Sequence, residues 1–183
     1  MKVVKLGIIS DTHDLNSFYL ALPKIKRFFG GCDYIVHAGD IVNSEVPKEL
    51  SKIAPVKAVL GNQGSDARQF SFLPRTITLS VGNIKIGVVH GLGNNPERIF
   101  NIILGWLSLG RLGMKIYFRR VSRFFSKDTN CIIFGDLHHP ICRRVEDKLF
   151  LNPGSTDGTE RGEGTIGILQ IKDNKIFSKT IYL

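Results

Sequence analysis

Five apolar runs in this chain end on residue types that hold metal ions. "GIIS" runs into Asp11-Thr12-His13, "YIVHA" into Gly39-Asp40, and "KAVL" into Gly61-Asn62. "IGVV" leads to His90-Gly91, and "CIIF" to Gly135-Asp136-Leu137-His138. Taken singly, each has an ordinary reading: Asp11 as a helix cap, Asp40 and Asn62 as turn formers, His90 as a satisfied core histidine. Taken together they point elsewhere, because accidental caps have no reason to collect metal-type donors at strand ends. A glycine next to the donor in four of the five lets backbone and side chains crowd around one centre. The donors are nitrogen and oxygen with no thiolate, which suits Mn²⁺, Fe, Zn²⁺, Ni²⁺ or Co²⁺ and disfavours a structural zinc site. The candidates Asp11, His13, Asp40, Asn62, His90, Asp136 and His138 are too many for one tetrahedral ion. They suit two ions roughly 3.5 Å apart sharing a carboxylate, an arrangement that serves phosphoester displacement.

Positioning those donors requires strands whose ends meet on one rim. The apolar runs alternate with amphipathic segments, which predicts a largely parallel sheet covered by helices. Strands are expected at 3–9, 33–39 and 56–61, with a helix from Ser17 to Phe29 between the first two. A second helix is expected from a Ser44 cap to about Ile53, with Pro47 in its first turn. Residues 75–91 then read as two strands joined at Gly82-Asn83. Residues 95–126 read as helix, single or broken near Gly110 or Gly113, and 130–135 as a buried strand. The tail reads as hairpins turning at Asp147-Lys148 and Asp173-Asn174. The sum is an α/β fold, a four-layer α/β/β/α sandwich of two mixed sheets flanked by helices. In such sheets ligands bind beyond the strand ends.

Length and composition fit this plan. The 183 residues, 43% of them hydrophobic, suffice for one domain with a substantial core, and nothing repeats or divides the chain. Cys32, Cys131 and Cys142 form no CxxC spacing and leave an odd count, which favours a reducing compartment. The N-terminus has only a few apolar residues before its first acids, unlike a signal peptide, so a cytoplasmic location is expected. The formal charge is +9, and every charged residue between Arg98 and Lys127 is basic. That excess suits a solvated helix face or contact with something anionic. No recognition-helix motif or aromatic stacking signature accompanies it, so nucleic acid is not indicated.

The order D-x-H, G-D, G-N, H-G, G-x-x-H resembles the calcineurin-like metallophosphoesterase superfamily. The short length and the "LNPGS" at 151–155 resemble its small bacterial and archaeal phosphodiesterase branch, which includes retromer-subunit-like proteins. The resemblance implies a metal-dependent phosphodiesterase or phosphatase acting on a phosphoester substrate. It places one metal on Asp11, His13, Asp40 and His138, with Asp40 bridging, and a second on Asn62, His90 and Asp136. Mn²⁺ is the expected ion, with a bridging hydroxide as nucleophile, and Asn62 orients the phosphate. No serine or cysteine nucleophile is required. Three positions depart from the family pattern. Asp136 stands where the family has histidine, Gly64 where it has an acid, and Leu92 where it often has a second histidine. The competing reading is a non-catalytic metal-binding scaffold or protein-interaction module of the same fold. A scaffold should have lost several ligands, whereas six of the seven positions match and the seventh is another donor.

Three further polar residues are set aside: His37 as a core histidine, His139 as a variable position and Arg161 as a surface arginine. The stretch 92–127 is read as a basic, aromatic helical insertion. Its longest uncharged run is about twelve residues, short of the roughly twenty needed to span a bilayer. Most of its apolar positions are expected to cover the sheet. Trp106, Tyr117, Phe118, Phe124 and Phe125 beside the arginines also suit a lid, a homodimer surface or an anionic membrane-surface contact through 98–127.

Overall fold

Two five-stranded sheets carry the donor-bearing strand ends. The structure, a computed structural model, describes residues 3–62, 69–93, 111–158 and 162–183. The expectations at Gly64, Arg98, Trp106, Gly110 and Arg161 lie outside those residues.

The first sheet contains β1 (Val4–Ile9), β2 (Tyr34–His37), β3 (Val56–Ala58), β9 (Thr165–Lys172) and β10 (Lys175–Tyr182), in the order β10-β9-β1-β2-β3. The second contains β4 (Thr76–Val81), β5 (Ile84–Val89), β6 (Cys131–Phe134), β7 (Pro140–Val145) and β8 (Lys148–Pro153), in the order β4-β5-β6-β8-β7. Both sheets are mixed. β1, β2 and β3 run parallel to one another, as do β5, β6 and β8. Antiparallel β9-β10, β4 and β7 complete them.

The parallel centre explains the unbroken apolar runs, since an inner parallel strand is covered on both faces. In β1, Ile8 faces the second sheet and Ile9 faces the helices, and both are fully buried. The inter-sheet core joins Leu6, Ile8 and Val36 to Ile86, Val88 and Ile133. On the far side of the first sheet lie α1 (Leu15–Phe29) and α2 (Glu45–Ser51). α1 presents Phe18, Leu22, Ile25 and Phe29, the spacing of one helical face. On the far side of the second lies α3 (Arg111–Ser122), whose Tyr117, Phe118 and Val121 bury against Phe134 and Phe150. The Phe118 and Phe150 rings stack with centroids 4.4 Å apart. The layers are therefore helix, sheet, sheet, helix. Among the described residues no helix is long and apolar enough to cross a membrane.

Several local expectations shift. α1 begins at Leu15 rather than Ser17, because Asp14 is its cap and accepts the Ser17 N–H at 2.7 Å. Ser44 makes no side-chain cap bond; Asn43 Oδ1 instead accepts the Glu45 N–H, and α2 ends at Ser51. α3 runs unbroken through Gly113. The strands expected at 33–39 and 56–61 end earlier, at His37 and Ala58, where the chain turns into the site loops. The β7–β8 turn falls at Glu146-Asp147, one residue before its expected place, with Glu146 left-handed at φ 54°.

Candidate metal centre

The parallel strands β1, β2 and β3 of one sheet and β5 and β6 of the other all end at the same rim. Asp11 and His13 follow β1, Asp40 follows β2, Asn62 follows β3, His90 follows β5, and Asp136 and His138 follow β6. Two groups of ligand atoms form there, Asp11 with His13 and His138, and Asp11 with Asp40 and His90. His13 Nε2 and His138 Nε2 are 3.1 Å apart. Asp11 Oδ1 lies 3.3 Å from His138 Nε2, 3.7 Å from His13 Nε2 and 3.9 Å from His90 Nε2. Asp40 Oδ2 also faces both sides, 3.1 Å from His90 Nε2 and 3.7 Å from His13 Nε2. Two donors bound about 2.1 Å from one ion stand roughly 3.0–3.4 Å from each other. These separations match or slightly exceed that spacing.

Asp136 and Asn62 lie on the His90 side. Asp136 Oδ1 is 3.9 Å from His90 Nε2 and 3.4 Å from Asn62 Nδ2. The Asp136 backbone N–H reaches both Asp11 carboxylate oxygens at 3.2 Å. All seven expected donors are thus brought to one place.

Their backbones are unusual. Asp11, Asp40, Asp136 and His138 are left-handed, at φ 54°, 53°, 70° and 55°. Each costs of order 1–3 kcal/mol outside glycine and persists only where surroundings enforce it. The enforcement is a ladder between loops. Asp11 N–H donates to Gly39 O at 3.1 Å, Thr12 N–H to Asp40 O at 3.0 Å and Val42 N–H to Thr12 O at 3.1 Å. Glycine is needed where loops touch. A Cβ at Gly61 would stand 1.9 Å from Asp40 Oδ1, and one at Gly135 would stand 2.1 Å from Ser10 Oγ and 2.8 Å from His90 Nδ1.

The electrostatics follow from burial against mutual charge. Burial opposes ionisation of Asp11, yet the imidazoles of His13, His138 and His90 hold its carboxyl well below the usual range. Burial likewise opposes the charge on His90, but Asp40, Asp11 and Asp136 raise it to about 9. His13 and His138 are raised chiefly by Asp11. His90 Nδ1–H donates to Ala38 O at 2.7 Å, which aims Nε2 at the carboxylates. That Nε2 is buried without a hydrogen bond of acceptable geometry among the described residues. A buried nitrogen aimed at two carboxylates, beside two imidazole nitrogens converging on a third point, fits a site for divalent cations.

Residues 4–174 match the calcineurin-like phosphoesterase superfamily domain. The chain belongs to that superfamily. A probable metallophosphoesterase of Methanocaldococcus jannaschii is 33% identical over 151 residues, covering 82% of this chain and 67% of that protein. A solved archaeal phosphodiesterase is 24% identical with a TM-score of 0.67, covering 98% of this chain and all of that one. A single-mutant Vps29 of Entamoeba histolytica shares the fold at 21% identity and TM-score 0.61, covering 98% and 99% of the two chains.

Within this superfamily domain, several supporting residues escape a reading by motif. Ser10 Oγ donates to Asp11 Oδ2 at 2.6 Å, and Ser155 Oγ to Asp11 O at 2.8 Å. The buried Asn152 donates to Gly135 O at 2.7 Å and accepts the Gly154 N–H at 2.8 Å, tying the "LNPGS" stretch to the loop that carries Asp136. In the sequence that stretch points to Asn152 and Ser155, and nothing points to Ser10. His37 is a buried histidine as expected, its pKa pushed down by burial to about 3. Its Nδ1 accepts the Gly39 N–H, so Nε2 carries the proton and faces Thr12 Oγ1 at 3.1 Å. Arg75, which belongs to no motif, lines a cavity of about 190 Å³ beside Asn62 and His90.

Proposed function

We propose that this protein is a divalent-metal-dependent phosphoester hydrolase, a phosphodiesterase or phosphatase, with two ions at the rim. Asp11, His13, Asp40 and His138 would hold one ion, and Asp40, Asn62, His90 and Asp136 the other. Mn²⁺ suits the mixed carboxylate and imidazole set, with Fe, Ni²⁺, Zn²⁺ or Co²⁺ as alternatives. The observation that carries the reading is the convergence of three imidazole Nε2 atoms on Asp11 and Asp40, both carboxylates being buried. When bound, two such ions supply an ionised water for attack on phosphorus and polarise the phosphoryl oxygens.

The chain's own residues do the positioning. Asp40 Oδ1 accepts the Asn62 N–H at 2.7 Å, which leaves Oδ2 to face His13 and His90. Asn62, which lines the cavity, orients a phosphoryl oxygen through its amide. The Ala38 carbonyl fixes the His90 tautomer, and the Asp136 amide and Ser10 hydroxyl fix the Asp11 carboxylate. The alternative, a non-catalytic scaffold, has the Vps29 likeness behind it, but that likeness concerns the fold alone. The intact donor cluster favours the enzyme.

The test is hydrolysis of bis-p-nitrophenyl phosphate. EDTA should abolish it and Mn²⁺ or a similar ion restore it. Asp40→Asn should remove nearly all turnover, because a neutral amide bridges two cations poorly. Full turnover in Asp40→Asn protein would sink the dinuclear reading.

A further inference from the structure

Arg75 and His90 both lie at the outer end of the β4–β5 ladder. β4 and β5 pair with Thr76 opposite Val89 and Ile77 opposite Val88, and Arg75 and His90 are the residues next to the outermost of these pairs. Ile77, Leu79 and Val81 of β4 face the inter-sheet core with Ile84, Ile86 and Val88 of β5. Arg75 and His90 lie just beyond these strands, and both side chains border one cavity at the rim. The cavity of about 190 Å³ lies at this point, lined by Arg75, Asn62, His90, Leu92 and Phe124. The Arg75 guanidinium offers a planar fork of donors to a phosphate. Among the described residues Arg75 has no ion-pair partner.

We propose that Arg75 is a specificity residue for substrates that carry a second anionic phosphate beside the scissile phosphoester. The inference rests on the hydrolase reading. The scissile group occupies the rim between Asn62 and His90, and the attached portion enters the cavity. There Leu92 and Phe124 offer apolar walls and Arg75 the countercharge. Arg75 is exposed, so solvent and salt moderate the contact. It is worth about tenfold in selectivity, the scale of one charge-assisted hydrogen bond.

The test compares the p-nitrophenyl ester of thymidine 5′-phosphate with its 3′-phosphorylated analogue, using Mn²⁺-loaded protein at low salt. Wild type should favour the phosphorylated ester about tenfold in kcat/KM. Arg75→Ala should bring that ratio close to one with metal content unchanged, and Arg75→Lys should keep part of it. Calorimetric Kd values for thymidine 5′-phosphate and thymidine 3′,5′-bisphosphate should show the same ratio. A wild-type ratio near one, or a preference that survives Arg75→Ala, overturns the assignment. Failure of metal-loaded wild type to cleave either ester would overturn the hydrolase reading instead, while the two Kd values would still decide for or against Arg75.

Discussion

Gly61→Ala tests how tightly the rim is assembled. The added methyl would stand 1.9 Å from Asp40 Oδ1, 2.3 Å from Asp40 N and 2.8 Å from Asp40 Cα. A swing of the carboxylate relieves the first contact, but two of the three involve backbone. Ordinary contact begins near 3.4 Å, so the Gly61 and Asp40 segments must separate by about 1 Å. Metal sites tolerate about 0.2 Å in ligand distance, and a 1 Å misplacement costs on the order of 100-fold in turnover. Overpacking should also cost about 1–3 kcal/mol of stability. The assay is metal content after chelation and Mn²⁺ reloading, alongside melting temperature and hydrolysis of bis-p-nitrophenyl phosphate. Gly31→Ala is the control, since a Cβ there meets nothing but must adopt φ 79°. It should lose about 1 kcal/mol of stability and keep its metal. Gly61→Ala protein with wild-type metal content and turnover would refute the argument.

Three further outcomes follow from the same geometry. Asp136→Ala should lower metal content from two ions per chain towards one, whereas Asp136→His should keep two and shift the activity–pH profile downward, because removing a carboxylate lowers the pKa of the activated water. One ion per chain in wild type under saturating Mn²⁺, unchanged by Asp136→Ala, would leave His138 as the sole ligand of its loop. With His90 raised to about 9, the chelated protein carries a proton there at pH 7, and metal binding must expel it. Titration calorimetry in buffers of differing ionisation enthalpy should therefore report net proton release, with apparent affinity falling as pH falls; no release would contradict the assignment of His90. Replacing Arg119, Arg120 and Arg123 together with Ser should alter KM, self-association or binding to anionic vesicles at constant metal content, and if none moves, α3 is structural cover.

The donors were readable because ligand type and strand end are both local features. Asp11, Asp40 and His90 each sit one or a few residues beyond an unbroken apolar run, and burial on both faces of a parallel strand produces such a run. The hairpin turn at Asp173-Asn174 was equally local, two residues that tolerate left-handed backbone. The rest depends on partners distant in sequence. No side chain announces that Asp11 or Asp136 is left-handed, since contacts with the Gly39 carbonyl and the Asp11 carboxylate impose it. Ser10 and Asn152 look like ordinary strand-end polar residues until their acceptors are located. Arg75 gains its meaning from tertiary structure, which brings it to the same ladder end and the same cavity as a histidine fifteen positions later. The start of α1 was misplaced because Asp14 and Ser17 are both good caps, and only the hydrogen bond between them decides which one serves.

Anomalous diffraction from crystals soaked in Mn²⁺ tests the central claim most directly. Two peaks roughly 3.5 Å apart are expected, one among Asp11, His13, Asp40 and His138 and the other among Asp40, Asn62, His90 and Asp136, with Asp40 touching both. A single peak, or none at this rim under saturating metal, would contradict a dinuclear phosphoester hydrolase.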